Sequence, residues 1–259
     1  MISEKNSVFT TIGWDGERKF FAINEHLIRL ENHAIISDIE FNKDSIKNIK
    51  NKLKNKVFKE IKKYQNIKSG KPAGLVTIRV NKEGEVSITE RSNKFNINCN
   101  YINAITIDAP KNLIKNKGVK YGKHLPYKNA LKLAKEHDGN AALLVENNSV
   151  IDGDRGSLII LNKDGSAWAS SNKYGSIKSI TLELIKEKLL KRGIPLSFGK
   201  ITIDMILKSC DAIMVGTGLG VTRIHSIDKR IFEFSSSKLF ETTTEIFEEL
   251  NNEKWTEIK

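Results

Sequence analysis

Lys123 lies in the run Tyr121-Gly122-Lys123-His124-Leu125-Pro126-Tyr127, after a glycine and before a helix-forming stretch. Pro126 suits the first turn of a helix, where its missing N–H would be unpaired anyway. A lysine held at such a junction can point into a cleft. Burial among other cations lowers an ammonium pKa and leaves a nucleophilic amine, which is what Schiff-base chemistry requires. The chain has 43 Lys plus Arg, so the other reading of Lys123 is solvated surface. Asp152-Gly153 and Arg155 put a carboxylate and a guanidinium in one turn, and by themselves read as turn residues. Gly216-Thr217-Gly218-Leu219-Gly220 lets backbone come close to a ligand. No helix is expected to follow it, so it is not a dinucleotide fingerprint.

Five segments, in order, resemble the fold-type IV pyridoxal-phosphate enzymes, meaning the class IV aminotransferases and aminodeoxychorismate lyase. They are Phe20–Leu30 with its Glu-His-Leu-Ile-Arg-Leu, Lys123–Tyr127, Ala141–Gly153, Gly175–Thr181 and Asp211–Gly218. The resemblance spans about residues 7–235. It implies a two-domain α/β (α+β) enzyme, with a small N-terminal α/β domain and a larger, barrel-like C-terminal one. It also implies pyridoxal 5'-phosphate as cofactor, Lys123 as the Schiff-base lysine and proton carrier, and Asp152 against the pyridine nitrogen. Arg29, Ile180, Thr181 and Thr217 would cradle the phosphate, and His26, Arg155 and Gly218 would lie beside the substrate. The implied reaction is transamination between an amino acid and a 2-oxo acid. The alternative is the lyase, which releases pyruvate and 4-aminobenzoate from an amino-chorismate; Phe9-Thr10-Thr11, Lys123-His124-Leu125 and the short chain lean that way. The implied assembly is a homodimer. Asp152 stands where the family usually has glutamate, Leu182 replaces an arginine, and the family's first strand before Phe9-Thr10-Thr11 is absent.

Read without the resemblance, Arg29 is a surface residue of a helix and His26 a core-edge imidazole. The elements that must carry these groups are legible from pattern. Ser7–Ile12 and Arg18–Ile23 form strands around Asp15-Gly16. Asn24 is expected to cap a helix over Glu25–Ile35. Lysine-rich 42–71 carries Ile46, Ile49, Leu53, Val57, Ile61 and Tyr64 as one apolar stripe, which predicts a single long helix. Ala73–Val80 and Val86–Glu90 form a hairpin, and Ile97–Ile107 a further strand. Polar 111–122 reads as a connection between halves, giving domains 1–108 and 123–259 joined by 109–122. Helices follow at Leu125–Lys135, Ile177–Arg192, Ile201–Lys208 and Lys238–Asn251. Between them lie strands at Asn140–Glu146, Ser149–Asp152, Gly156–Asn162, Ser166–Ser170, Ala212–Val215 and Val221–Ile227.

A hydrophobic content of 39% and a mean hydropathy of −0.36 describe a soluble protein that buries a core. No apolar run is long enough to span a membrane, and Met1–Asn6 lacks a signal peptide's apolar segment. Cys99 and Cys210 are far apart and read as reduced thiols with no zinc cluster around them. A cytoplasmic protein without metal is expected. The +12 formal charge raises nucleic acid as a partner, but no aromatic residues interleave with the basic ones to form stacking platforms. Neither nucleic acid nor membrane is expected as a partner.

Overall fold

The computed structural model describes residues 5–61, 71–94, 101–110 and 118–258. The chain opens with β1 (Ser7–Trp14) and β2 (Lys19–Phe21), then α1 (Ile23–Ile36) and α2 (Lys43–Asn55). Next come β3 (Gly74–Asn81), β4 (Val86–Ser92), β5 (Tyr101–Asp108) and α3 (Leu125–Glu136). Strands β6 (Ala141–Glu146), β7 (Ser149–Gly153), β8 (Ser157–Leu161) and β9 (Ala167–Ser170) lead to α4 (Ile180–Lys191). Then follow β10 (Leu196–Gly199), β11 (Ile201–Thr202), α5 (Ile203–Leu207), β12 (Asp211–Gly216), β13 (Gly220–Ile227) and β14 (Arg230–Ile231). Helix α6 (Lys238–Glu253) and β15 (Trp255–Glu257) close the described chain.

Two sheets organise these elements. The first has the order β15-β2-β1-β3-β4 and is antiparallel throughout. The second is mixed and has ten strands, ordered β10-β9-β8-β12-β13-β5-β6-β7-β11 with β14 beside β13. A division of the chain at residue 108 does not match the sheets. Strand β5 pairs in parallel with β6 and β13 of the second sheet. Strand β15, almost at the end of the chain, pairs with β2 of the first.

Both faces of the second sheet are covered. Leu158, Ile160, Ala212 and Met214 belong to one apolar cluster, and Ile159, Leu161, Ile213 and Val215 to another. Side chains alternate across a strand, so two buried faces require an unbroken apolar run. Helices α4 and α6 cover one of these faces, and α1 and α2 pack on the first sheet.

Several expected boundaries shift. Helix α1 starts two residues early, after Ala22 in the left-handed region, with no side-chain cap. Asn24 therefore lies inside the helix, where its Oδ1 accepts from Lys50 Nζ at 3.0 Å. The lysine-rich helix stops at Asn55, with Asn42 and Ser45 forming a capping box at its start. Ile46, Ile49 and Leu53 hold the apolar stripe, whereas Val57 is 91% exposed. Phe58 instead packs on Trp14, and Tyr64 lies outside the described residues. Helix α4 begins at Ile180, because Ser179 Oγ accepts from Leu182 N and ends the preceding extended run. Cys210 is a free thiol; Cys99 is outside the described residues. Among the described residues, no helix is long and apolar enough to cross a membrane, and no cluster of metal-ligating side chains occurs.

Candidate active site

A cleft is lined by Arg29, Lys120, His124, Tyr127, Asp152–Ser157, Ile177, Ser179–Thr181 and Val215–Thr217. Its floor begins with the segment entering α3. Phe9 N donates to Lys120 O at 3.0 Å, and Gly122 N to Ser7 O at 2.8 Å. Tyr121 bridges Val8, so residues 120–122 run as a short extra strand along β1. Neighbouring side chains of an extended run point opposite ways, which separates Lys120 from Tyr121. Gly122 and His124 then take positive φ, and the chain turns away before α3.

Lys123, expected at the site, is carried away from the cleft by this turn. Its side chain is exposed and does not line the cleft. Lys120 is the one lysine among the described residues that does. Its ammonium pKa falls from 10.5 to about 7, first through burial, then through Arg29 and Arg91, with Asp152 opposing. Its backbone N–H donates to His33 Nδ1 at 3.3 Å. Burial and the Arg29 and Lys120 charges push His33 down to about 3, so it stays a neutral acceptor.

Arg29 is 6% exposed. Its Nη1 donates to Lys178 O at 3.0 Å and its Nη2 to Thr10 Oγ1 at 2.8 Å. Its Nε–H is buried without a partner among the described residues. Burial lowers its pKa only to about 10, so it remains a cation at neutral pH. Beside it, α4 presents its first residues, Ile180 and Thr181, both buried. The first N–H groups of a helix lack intrahelical partners and favour an anion. Thr217, in the turn between β12 and β13, adds a hydroxyl to the lining.

At the other side, Asp152 on β7 accepts from Tyr127 Oη at 3.2 Å and Ile177 N at 3.1 Å on one oxygen. Its second oxygen accepts from Gly153 N at 3.0 Å. Burial raises its pKa to about 7, against the lowering pull of those donors and of Lys120. Asp152 is thus a cleft carboxylate and not a plain turn residue. Tyr127 stacks on His124 with centroids 4.0 Å apart, and His124 meets Phe9 edge to face at 5.2 Å.

Three residues expected beside the substrate sit elsewhere or are engaged. His26 is 1% exposed and does not line the cleft; its Nδ1 lies 2.8 Å from Thr10 Oγ1. Gly218 does not line it either, and its carbonyl accepts from Asn93 Nδ2 at 2.9 Å. Arg155 reaches the rim, where its Nε pairs with Asp154 Oδ2 at 2.7 Å and its Nη2 donates to Asn140 O. That ties the β7–β8 turn to the start of β6. Sequence reasoning missed Lys120, Tyr127, Thr10 and His33. For Lys120 a signal existed, because Val119-Lys120-Tyr121 alternates like a strand whereas Lys123 follows a turn glycine.

The cleft fits a phosphorylated aldehyde cofactor. Its lining brings together the buried Arg29 guanidinium, the N-terminus of α4, the Lys120 amine and the buried Asp152 carboxylate. The mixed α/β fold matches those of fold-type IV aminotransferase structures over nearly its whole length. The family description amino-transferase class IV matches residues 7–227. The chain belongs to that family. One similar structure is a branched-chain aminotransferase of Thermoproteus uzoniensis with norvaline, at 18% identity and a TM-score of 0.78, covering 98% of this chain and 90% of that one. Another is the T.th. branched-chain amino acid aminotransferase complexed with N-(5'-phosphopyridoxyl)-L-glutamate, at 16%, 0.76, 99% and 90%. A hypothetical aminotransferase of Mycobacterium tuberculosis in its PLP-bound form stands at 14%, 0.73, 95% and 88%. No curated protein sequence matches this chain.

Proposed function

We propose that the chain is a pyridoxal-phosphate-dependent aminotransferase acting on an amino acid and a 2-oxo acid, with Lys120 as its reactive amine. The observation that carries this reading is a cleft lysine, Lys120, that shares its lining with buried Arg29, the N-terminus of α4 and the buried carboxylate of Asp152. Pyridoxal phosphate, when bound, supplies an aldehyde for amines and an electron-withdrawing ring. Arg29 and the α4 N-terminus would hold its phosphate, with Thr217 beside them. Asp152, which Tyr127 Oη orients, would hold a proton at the ring nitrogen. Lys120 Nζ, with a pKa of about 7 and so about half neutral at that pH, would supply the amine for the aldehyde and would carry a proton to and from the substrate α-carbon. Arg155 is a structural tie of the rim.

The test is borohydride reduction of the protein with pyridoxal phosphate, followed by peptide mapping. The pyridoxyl mass is expected on Lys120. Recovery on Lys123 would sink the assignment, and no stable label on any lysine would sink the reading.

Aminodeoxychorismate lyase is the second reading. Phe9 and His124, from the segments that lean towards it, pack together beside Lys120, whose Nζ lies 5.6 Å from the Phe9 centroid. Release of pyruvate and 4-aminobenzoate without any 2-oxo acid acceptor separates the two. We also infer a homodimer. Ile28, Ile35 and Ile36 on α1 are 55%, 65% and 65% exposed and line a groove that also includes Arg29, Val119 and Ile180. An apolar surface of that kind, next to the site, suits burial against a second copy.

A further inference from the structure

We infer that Thr10 and His26 are positioning residues that aim Arg29 at the cofactor phosphate. The inference rests on reading the cleft as a pyridoxal-phosphate site. The three side chains form one buried chain, being 0%, 1% and 6% exposed.

Its polarity follows from counting hydrogens. Arg29 Nη2 can only donate, so Thr10 Oγ1 accepts from it at 2.8 Å. The single hydroxyl hydrogen then goes to His26 Nδ1, 2.8 Å away. In this arrangement Nδ1 is the unprotonated nitrogen, and His26 is neutral with its proton on Nε2. The reverse tautomer would aim an Nδ1–H at Arg29 Nη2, which lies 3.5 Å from it. Burial first, then the Arg29 and Lys120 charges, depress the imidazole pKa well below its usual value, which keeps the same form.

Together with the Lys178 carbonyl on Nη1, this chain grips both terminal nitrogens of the guanidinium. The planar fork is fixed in rotation beside the cleft that Arg29 lines. Stability alone does not account for His26. Its Nε2 is buried without a partner among the described residues, and a leucine there would leave no such donor dry. The imidazole instead orients the Thr10 hydroxyl, so that its lone pair faces Arg29. A hydroxyl free to rotate would not do this.

The test compares two probes on the full chain, pyridoxal 5'-phosphate and pyridoxal, by equilibrium titration. In Thr10→Val, affinity for pyridoxal phosphate should fall about tenfold, the scale of a lost hydrogen bond to a charged group. Affinity for pyridoxal, which has no phosphate to grip, should stay unchanged. Thr10→Ser should restore the phosphate-dependent difference. His26→Leu should reproduce the Thr10→Val loss, and the double variant should lose no more than either single one, because both act through one chain. Equal losses for both probes, or additive losses in the double variant, would overturn the inference while leaving the site intact. So would Thr10→Val binding like the parent. A parent chain that binds neither probe would overturn the site and this inference with it. If Thr10→Val does not fold, His26→Leu against Thr10→Ser decides the matter on the same titrations.

Discussion

Replacing Lys120 with methionine separates the two candidate lysines by stability as well as by chemistry. In the cofactor-free protein the Lys120 pKa drops from 10.5 to about 7, a charge penalty of about 5 kcal/mol at most, at ~1.4 kcal/mol per unit. Lys120 is partly buried, and solvent relaxation reduces the realised value to a few kcal/mol. The sign follows from linkage. Between pH 7 and 10.5 the unfolded chain binds more protons at this site than the folded one, so the site makes stability rise with pH. Below pH 7 both states are charged and the whole penalty is present. Lys120→Met should therefore stabilise the cofactor-free protein most at pH 6, with the gain vanishing above pH 10.5. Lys123→Met, at an exposed position, should change stability by less than ~0.5 kcal/mol at any pH. Urea unfolding at pH 6, 8 and 10 measures both variants. Turnover should disappear in Lys120→Met and persist in Lys123→Met. A Lys120→Met protein that is less stable at pH 6, or a Lys123→Met protein that is inactive, would refute the electrostatic account of the site.

Arg29→Gln should weaken pyridoxal-phosphate binding by about 2–3 kcal/mol, since charge-assisted bonds are lost; unchanged affinity in a titration removes Arg29 from the cradle. Asp152→Asn should retain the fold and bind cofactor, yet lose most turnover, because an amide cannot hold the ring proton; parent-like kcat counts against that role. Asp211 is fully buried, accepting from Arg223 Nε, Ala212 N and Phe240 N. Asp211→Ala should cost about 3–5 kcal/mol by leaving Arg223 Nε and two backbone N–H groups unanswered, read by thermal unfolding. Ile28→Glu with Ile35→Glu should give a monomer in sedimentation at micromolar concentration; a parent chain that is itself monomeric there removes the dimer.

How much can be read from the sequence depends on whether a residue's task is local or set by pairing across the chain. Leu158–Leu161 and Ala212–Val215 announce doubly covered strands, because two buried faces demand apolar residues at every position. Asp152, Thr181 and Thr217 are legible because their segments keep a recognisable order, and the cleft brings them together. The resemblance points to Lys123 and not to the proposed Lys120 because the motif is anchored on the helix that follows it. What decides between the two lies far away in sequence. The backbone of residues 120–122 is hydrogen-bonded to Ser7 and Phe9, and that pairing sets which side chains face the cleft. A strand of three residues carries too little pattern to show its register, and a shift of one residue reverses every side chain. The same limit hides Thr10. Its hydroxyl looks like one more β-branched strand residue until α1 brings His26 and Arg29 over it. Residues whose partners lie 16 and 19 positions away meet only through packing, and the local sequence records only that they are polar where a core residue would serve.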